Sequence, residues 1–415
     1  MTIDQDIVAP KTEKSETSPT VTGPGGPSGE TPQTPPSPKA PEQRELAAMS
    51  QWQLIRLRFS KHKLAVISLY VLIFMYSMAL FAECVAPYRP NRRNLDYMYC
   101  PPQTVRFDFE HGLYARAFLQ HVDPITFRKS YIEVPDVKVP LSFFATGMDY
   151  KLWGFIPMST RFFGADLVDW QERYGTSDAV PEGVKPTFYL LGADKYGRDI
   201  FSRAIYGARI SLSVGLIGII GTFAFGMTLG GISGYVGGRV DNLIQRGIEI
   251  VNSFPRLPLW IALAAILPPD WSALRIYFAI TILLSLLNWT GLARVVRGKI
   301  LSLREEDYAV AARLIGAGHG RILFRHLIPG FTSHIIVALT LSIPHMIIGE
   351  TSLSFLGLGL RPPIVSWGVM LQDCLDVKAV RYYPWLLMPV IFIITTVLSF
   401  NFLGDGLRDA ADPYS

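Results

Sequence analysis

The sequence predicts an all-α polytopic membrane protein with six transmembrane helices. Its composition, its uncharged runs and the placement of its basic residues predict this. Of its 415 residues 49% are hydrophobic and only 18% charged, and the mean hydropathy is +0.27. Water-soluble domains carry about a quarter charged residues, so an ordinary soluble enzyme is disfavoured. Cysteine is too sparse for a disulfide scaffold, with three in the whole chain. The net charge of +5 matters less than where it sits, because basic residues set the orientation of membrane spans.

A span needs roughly 20 apolar residues. Uncharged stretches of that order lie at Leu64–Ala82, Ile210–Gly238, Ile276–Ala293, within His326–Gly349 and at Tyr382–Gly404. A weaker candidate, Leu243–Leu267, contains Glu249, Pro255, Arg256 and Pro258. Hydropathy leaves it ambiguous between a kinked span and a surface segment, and charge placement decides for a span. Arg56, Arg58, Lys61 and Lys63 precede the first run, while Arg294, Arg297, Lys299, Arg304, Arg313, Arg321 and Arg325 crowd one loop. Both segments belong in the cytoplasm by the positive-inside rule. An even number of crossings therefore separates them, which requires the weak candidate. Six spans with both termini cytoplasmic follow. The first run starts at Leu64, too far along the chain for a cleaved signal peptide.

The organisation along the chain follows. Residues 1–45, rich in Pro, Ser, Thr and Gly, read as a disordered cytoplasmic tail; a Pro-rich docking peptide is the sharper alternative. Residues 46–82 comprise an amphipathic lead-in helix, part of Glu42–Lys63 with Trp52 as an interfacial anchor, and the first span. Residues 83–190 form one large outward-facing segment. Its aromatic clusters and stretches such as YIEVPDVKVP predict a small folded unit with strands, acting as a cap or as the contact for a delivery protein. His111 and His121 lack a metal-ligand frame. Orientation puts Cys84, Cys100 and Cys374 outside, where an oxidising compartment permits a Cys84–Cys100 disulfide. Spacing alone does not fix Cα geometry, so free thiols are the simpler reading.

Several chemistries are excluded. No G-x-x-x-x-G-K-[ST] loop exists to cradle a triphosphate, and H-E-x-x-H, C-x-x-C and G-x-S-x-G are absent. Glu350 and Glu249 are intramembrane carboxylates, functional candidates by default. Both fall near span ends, where water or a helix terminus is in reach, so structural hydrogen bonding is favoured over proton relay. His345 reads as a satisfied core histidine. Gly215, Gly218, Gly221, Gly226 and Gly230 suit close helix packing.

The informative segment is Asp307–Pro329, DYAVAARLIGAGHGRILFRHLIP. It reads as helix, glycine break, then helix, lying along the cytoplasmic surface between two spans. Gly316 permits a sharp turn, Arg313 offers a fork of donors, and Pro329 begins the next span. The segment resembles the EAA loop of binding-protein-dependent ABC importers: E-A-A, three residues, Gly, nine residues, I-x-L-P. Here the positions hold Val310-Ala311-Ala312, Gly316 and His326-Leu327-Ile328-Pro329. Val310 replaces the Glu, and Glu305, Glu306 and Asp307 lie just upstream. Four further stretches, at 191–215, 234–255, 350–371 and 400–415, are similar in order to the C-type permease subunit of oligopeptide/dipeptide importers.

That resemblance implies a MetI-like permease fold with an inserted periplasmic domain between helices 1 and 2, and a permease core over 191–415. It implies a non-catalytic subunit of the bacterial inner membrane that moves peptides into the cytoplasm, with nickel or oligosaccharide as alternative cargo. The implied partners are a second permease, two ATPases carrying ATP–Mg and a periplasmic binding protein; this chain itself would bind neither cofactor nor nucleic acid. The coupling loop, 297–329, would dock on an ATPase through Ala311, Ala312, Arg313, Gly316 and Pro329. An ion-coupled secondary transporter would need inverted repeats and paired mid-membrane charges, and a receptor would not need this loop.

Overall fold

The computed structural model describes residues 51–125, 129–174, 180–181 and 184–411. The Pro-rich tail, the start of the lead-in helix and the last four residues lie outside the described residues. The lead-in helix α1 (Gln51–Lys61) hands over at His62, whose Nδ1 accepts a hydrogen bond from the Ala65 amide, to α2 (Lys63–Leu80). After the outer segment come α4 (Ile200–Val236), α5 (Gly238–Ser253), α6 (Arg256–Ala264), α7 (Ala273–Leu303), α8 (Asp307–Leu314) and α9 (Thr332–Phe355). Short helices α10 (Trp367–Leu371) and α11 (Val377–Tyr382) precede the last helix, α12 (Met388–Ala411).

Among the described residues, five helical stretches are long and apolar enough to cross a membrane: Lys63–Leu80, Ile200–Val236, Ala273–Leu303, His319–Phe355 and Pro384–Ala411. The weak candidate Leu243–Leu267 is not one continuous helix. It is split between α5 and α6 at Phe254, which is extended at φ −88°, ψ 139°. Pro255 explains the break, since it lacks an N–H and disfavours α geometry at the residue before it.

The second span is longer than its apolar run. At 37 residues, α4 extends about 55 Å, well beyond a hydrocarbon core of about 30 Å. It starts at Ile200 because Asp199 caps it, accepting from the Phe201 and Ser202 amides. Arg203 and Arg209, which interrupt the apolar pattern, each find a carboxylate: Arg203 pairs with Asp194, and Arg209 makes a bidentate bond to Glu83 at 2.7 and 2.8 Å. Burial would raise the Glu83 carboxyl, but Arg209 holds it below its ordinary value.

Helix α4 is the centre of the bundle. It packs along α7 through glycines spaced four apart. A Cβ on Gly230 would stand 2.5 Å from the Ala293 carbonyl oxygen, and one on Gly226 would stand 2.8 Å from Leu292. Small residues at this spacing let two backbones approach. In its N-terminal half, Leu212 joins Leu72 and Met75 of α2 and Phe400 of α12 in one apolar cluster.

The outer segment does contain strands, so the all-α expectation holds for the spans only. Strands β1 (Arg106–Asp108), β2 (Gly112–Val122), β3 (Lys129–Phe143) and β6 (Phe163–Ala165) form an antiparallel sheet in the order β1-β2-β3-β6. Strands β4 (Thr146–Leu152) and β5 (Ile156–Thr160) form a separate hairpin. Register runs from Tyr114↔Pro140 to Val122↔Lys129 with a shift at Arg116/Ala117. One face of the sheet buries Ala117, Val137 and Val139 against Trp170 and Tyr174 of the small helix α3 (Leu167–Tyr174). Cys84, Cys100 and Cys374 are free thiols, and Cys100 is wholly buried among Tyr88, Tyr97 and Tyr189.

Candidate functional site

The glycine break between α8 and α9 is a Schellman motif. The Ala317 amide donates to the Ala312 carbonyl at 3.0 Å, and the Gly316 amide donates to the Arg313 carbonyl at 3.0 Å. Both bonds satisfy carbonyls orphaned at a helix end, and the motif needs a left-handed residue at its turn. Gly316 supplies it at φ +82°. Its open side faces no atom within 4 Å, so glycine is required here by backbone geometry rather than by space.

The chain then resumes as the turn His319–Arg321 and widens over Ile322–Leu327. It tightens at Ile328–Phe331, where exposed Pro329 sits at the start. This geometry folds Ile322, Leu323, Leu327 and Phe331 back onto Ala309 and Ala312, against Leu292, Val296 and Ile300 of α7. The loop is therefore welded to the C-terminal ends of α4 and α7. Ala312, expected on the docking face, is instead buried at 6% exposure and belongs to this weld. It lies three residues from buried Ala309, on the same helix face.

Ala311, Arg313 and Gly316 remain exposed, as expected of a contact surface. The sequence reading missed the strongest feature, Leu314 and Ile315, which are 82% and 86% exposed at the tip. Their signal was available: the apolar run continues past Ala312, further round the helix than the weld can cover. Arg313 borders an open cleft of about 680 Å³ with Tyr235, Arg304, Glu305 and His319, in which the Tyr235 hydroxyl and His319 Nδ1 share a hydrogen bond of 3.0 Å.

A second brace fixes the loop. Asp241 of α5 receives Arg297 of α7 through two bonds of 2.6 Å and the Ser233 hydroxyl of α4 at 2.5 Å. Three helices thus meet at one carboxylate beside the loop.

The intramembrane candidates separate. Glu350 does not reach water: it is wholly buried and accepts from Ser354 at 2.8 Å, Ser366 at 2.7 Å and Ser211 at 3.1 Å. No basic side chain pairs with it among the described residues, and its bonds knit α9 to α4 and to the start of α10. Glu249 is exposed on α5 and pairs with Arg246. His345, expected in the core, is exposed on α9.

At the N-terminal end of α4, the stretch 191–203 is a buried ionic knot. Asp194 Oδ1 accepts from the Tyr196 and Arg198 amides at 2.9 and 3.0 Å, and Oδ2 accepts from Arg198 Nε at 2.7 Å. The Trp385 indole donates to the Ala193 carbonyl at 3.1 Å. The outer segment, the head of α4 and the approach to α12 are tied together there.

Comparison with known proteins follows this division. Residues 226–414 match the family described as "Binding-protein-dependent transport system inner membrane component". Residues 50–102 match "N-terminal TM domain of oligopeptide transport permease C". The dipeptide transport system permease protein DppC of Bacillus subtilis is 41% identical over 225 residues, covering 54% of this chain and 68% of that protein. The oligopeptide transport system permease protein OppC of the same species is 38% identical over 261 residues, covering 62% and 80%. Its counterpart in Haemophilus influenzae is 38% identical over 260 residues, covering 62% and 80%. A multi-helix membrane bundle with a glycine-broken loop welded to its base, and this likeness over most of the length of those permeases, together mean that the chain belongs to the family of binding-protein-dependent transport system inner-membrane permeases.

Proposed function

We propose that this chain is the passive half of a peptide importer gate, working in the bacterial inner membrane beside a second, related permease. A periplasmic binding protein delivers the solute, and two separate ATPase subunits supply the work. The names of its relatives, dipeptide and oligopeptide transport permeases, support peptides as cargo over nickel or oligosaccharide.

Six crossings place both termini and the 297–329 loop in the cytoplasm. The third crossing is then the broken pair α5–α6, and residues 83–190 form the periplasmic insert. The observation that carries the reading is the loop tip. Leu314 and Ile315 project from a turn whose other face is buried in the helix bundle, so a push on the tip is delivered to α7 and α9 rather than absorbed. Exposed Ala311, Arg313 and Gly316 flank it. ATP binding draws the two ATPases together, moves the tip and turns the cavity outward; hydrolysis resets it. The nucleotide acts by changing the relative stability of two arrangements.

The test is reconstitution with both ATPases, the second permease and the binding protein in vesicles. Peptide-loaded binding protein should stimulate ATP hydrolysis and drive uptake. Stimulation by nickel- or oligosaccharide-loaded protein instead would change the cargo, and uptake by this chain alone would overturn the mechanism.

A further inference from the structure

The β4–β5 hairpin ends in Lys151-Leu152-Trp153-Gly154-Phe155, with Trp153 in a left-handed conformation at φ +51°. Its indole N–H donates to the carbonyl of Leu80, the last residue of α2, at 2.9 Å. The opposite end of the hairpin is held just beyond that helix, since the Phe162 amide donates to the Cys84 carbonyl at 2.8 Å. The height of the hairpin relative to the bilayer is therefore set by the first span. That helix has 18 residues, about 27 Å long, which matches a hydrocarbon core of about 30 Å. Leu80 thus marks the boundary between acyl chains and headgroups.

Around this boundary the surface is aromatic. Phe155 is 68% exposed, with Trp153 and Phe81 also exposed. Phe81 and Trp153 pack at 5.6 Å, and Trp153 and Phe155 at 6.2 Å. The patch continues into the exposed side of α2, where Tyr70 and Phe74 stand out. Aromatic rings with a polar handle favour this interfacial depth, and exposed Lys151 beside them suits lipid phosphate.

We propose that the tip of the β4–β5 hairpin inserts into the headgroup layer of the bilayer next to the first span. The outer β unit is then held against the membrane by two attachments, the ionic knot at 191–203 and this aromatic foot. Its occupant is phospholipid.

The experiment places a nitroxide at Phe155→Cys in the full importer, in phosphatidylcholine/phosphatidylglycerol vesicles, with Cys84 and Cys374 replaced by serine. Collision with dissolved oxygen and with a water-soluble nickel chelate is read by power saturation. Labels at Ile67→Cys on α2 and at Phe109→Cys, which is 98% exposed, serve as lipid and water references. The proposal expects the label at 155 to favour oxygen, as at 67. A label at 155 that matches 109 would overturn it. So would shielding from both reagents, which would mean that a protein subunit covers the foot.

Discussion

Replacing Gly316 by valine tests the loop at the point where its geometry is most constrained. The residue sits at φ +82° and a Cβ there would meet nothing within 4 Å, so the substitution introduces no clash. What it introduces is backbone strain, about 1–2 kcal/mol for an L-residue in the left-handed region, and a β-branched side chain is the worst case. At about 1.4 kcal/mol per tenfold, the correctly turned loop becomes roughly 5- to 30-fold less favoured. The bonds lost are those from Ala317 to Ala312 and from Gly316 to Arg313, which aim Leu314 and Ile315. The weld made by Ala309, Leu323 and Leu327 is untouched, so the complex should assemble. In vesicles, peptide uptake should fall while basal ATP hydrolysis persists. Gly316→Asn, whose side chain tolerates this conformation, should restore part of the uptake. Wild-type uptake by the valine variant, or equal loss in both variants, would refute the reasoning.

Four other outcomes are expected, the last of them at Asp199. Gly230→Val drives a Cβ to within 2.5 Å of the Ala293 carbonyl oxygen; overpacking of this kind costs about 1–3 kcal/mol and should lower the unfolding temperature of the detergent-solubilised protein, whereas Gly291→Ala, with nothing within 4 Å, should be neutral. Asp241→Asn removes a charge-assisted pair with Arg297, costing about 1.5–3 kcal/mol, and should lower the unfolding temperature of the detergent-solubilised protein. Glu350→Gln should keep uptake at all pH values because the serine cage still meets a polar amide, while Glu350→Leu strands three buried hydroxyls and should reduce expression; loss of uptake in the glutamine variant with normal assembly would revive a proton relay.

Asp199 gives a pH effect. Burial pushes its carboxyl up to about 6, above its unfolded value of about 4. Its contribution to stability is therefore greatest in acid and declines as pH rises through about 6. Asp199→Asn should keep the cap on α4 and flatten this decline in thermal melts between pH 4 and 7.

Much of the membrane architecture was legible because an apolar run is a local property. Leu64–Ala82 and Tyr382–Gly404 correspond closely to helices. The head of α4 was not legible, because Arg203 and Arg209 look like a span boundary until their partners Asp194 and Glu83 are brought in from other segments. The break at Pro255 is a local signal, and charge counting alone outweighed it. At the loop, spacing identified Gly316 as the turn, and the Schellman bonds give the reason. Spacing did not reveal that Ala312 points into the bundle, because that depends on Leu323 and Leu327 folding back over it. The aromatic hairpin carries no local signal of depth; only the bond from Trp153 to Leu80 provides one.

The central claim is that an ATPase subunit moves this chain through the loop tip. A photoreactive phenylalanine analogue at Ile315, 86% exposed, can be irradiated in the reconstituted importer. An adduct with an ATPase subunit, changed in yield by trapping the nucleotide-bound state, is the expected result. An adduct with lipid or with the periplasmic binding protein, or a yield indifferent to nucleotide, would contradict it.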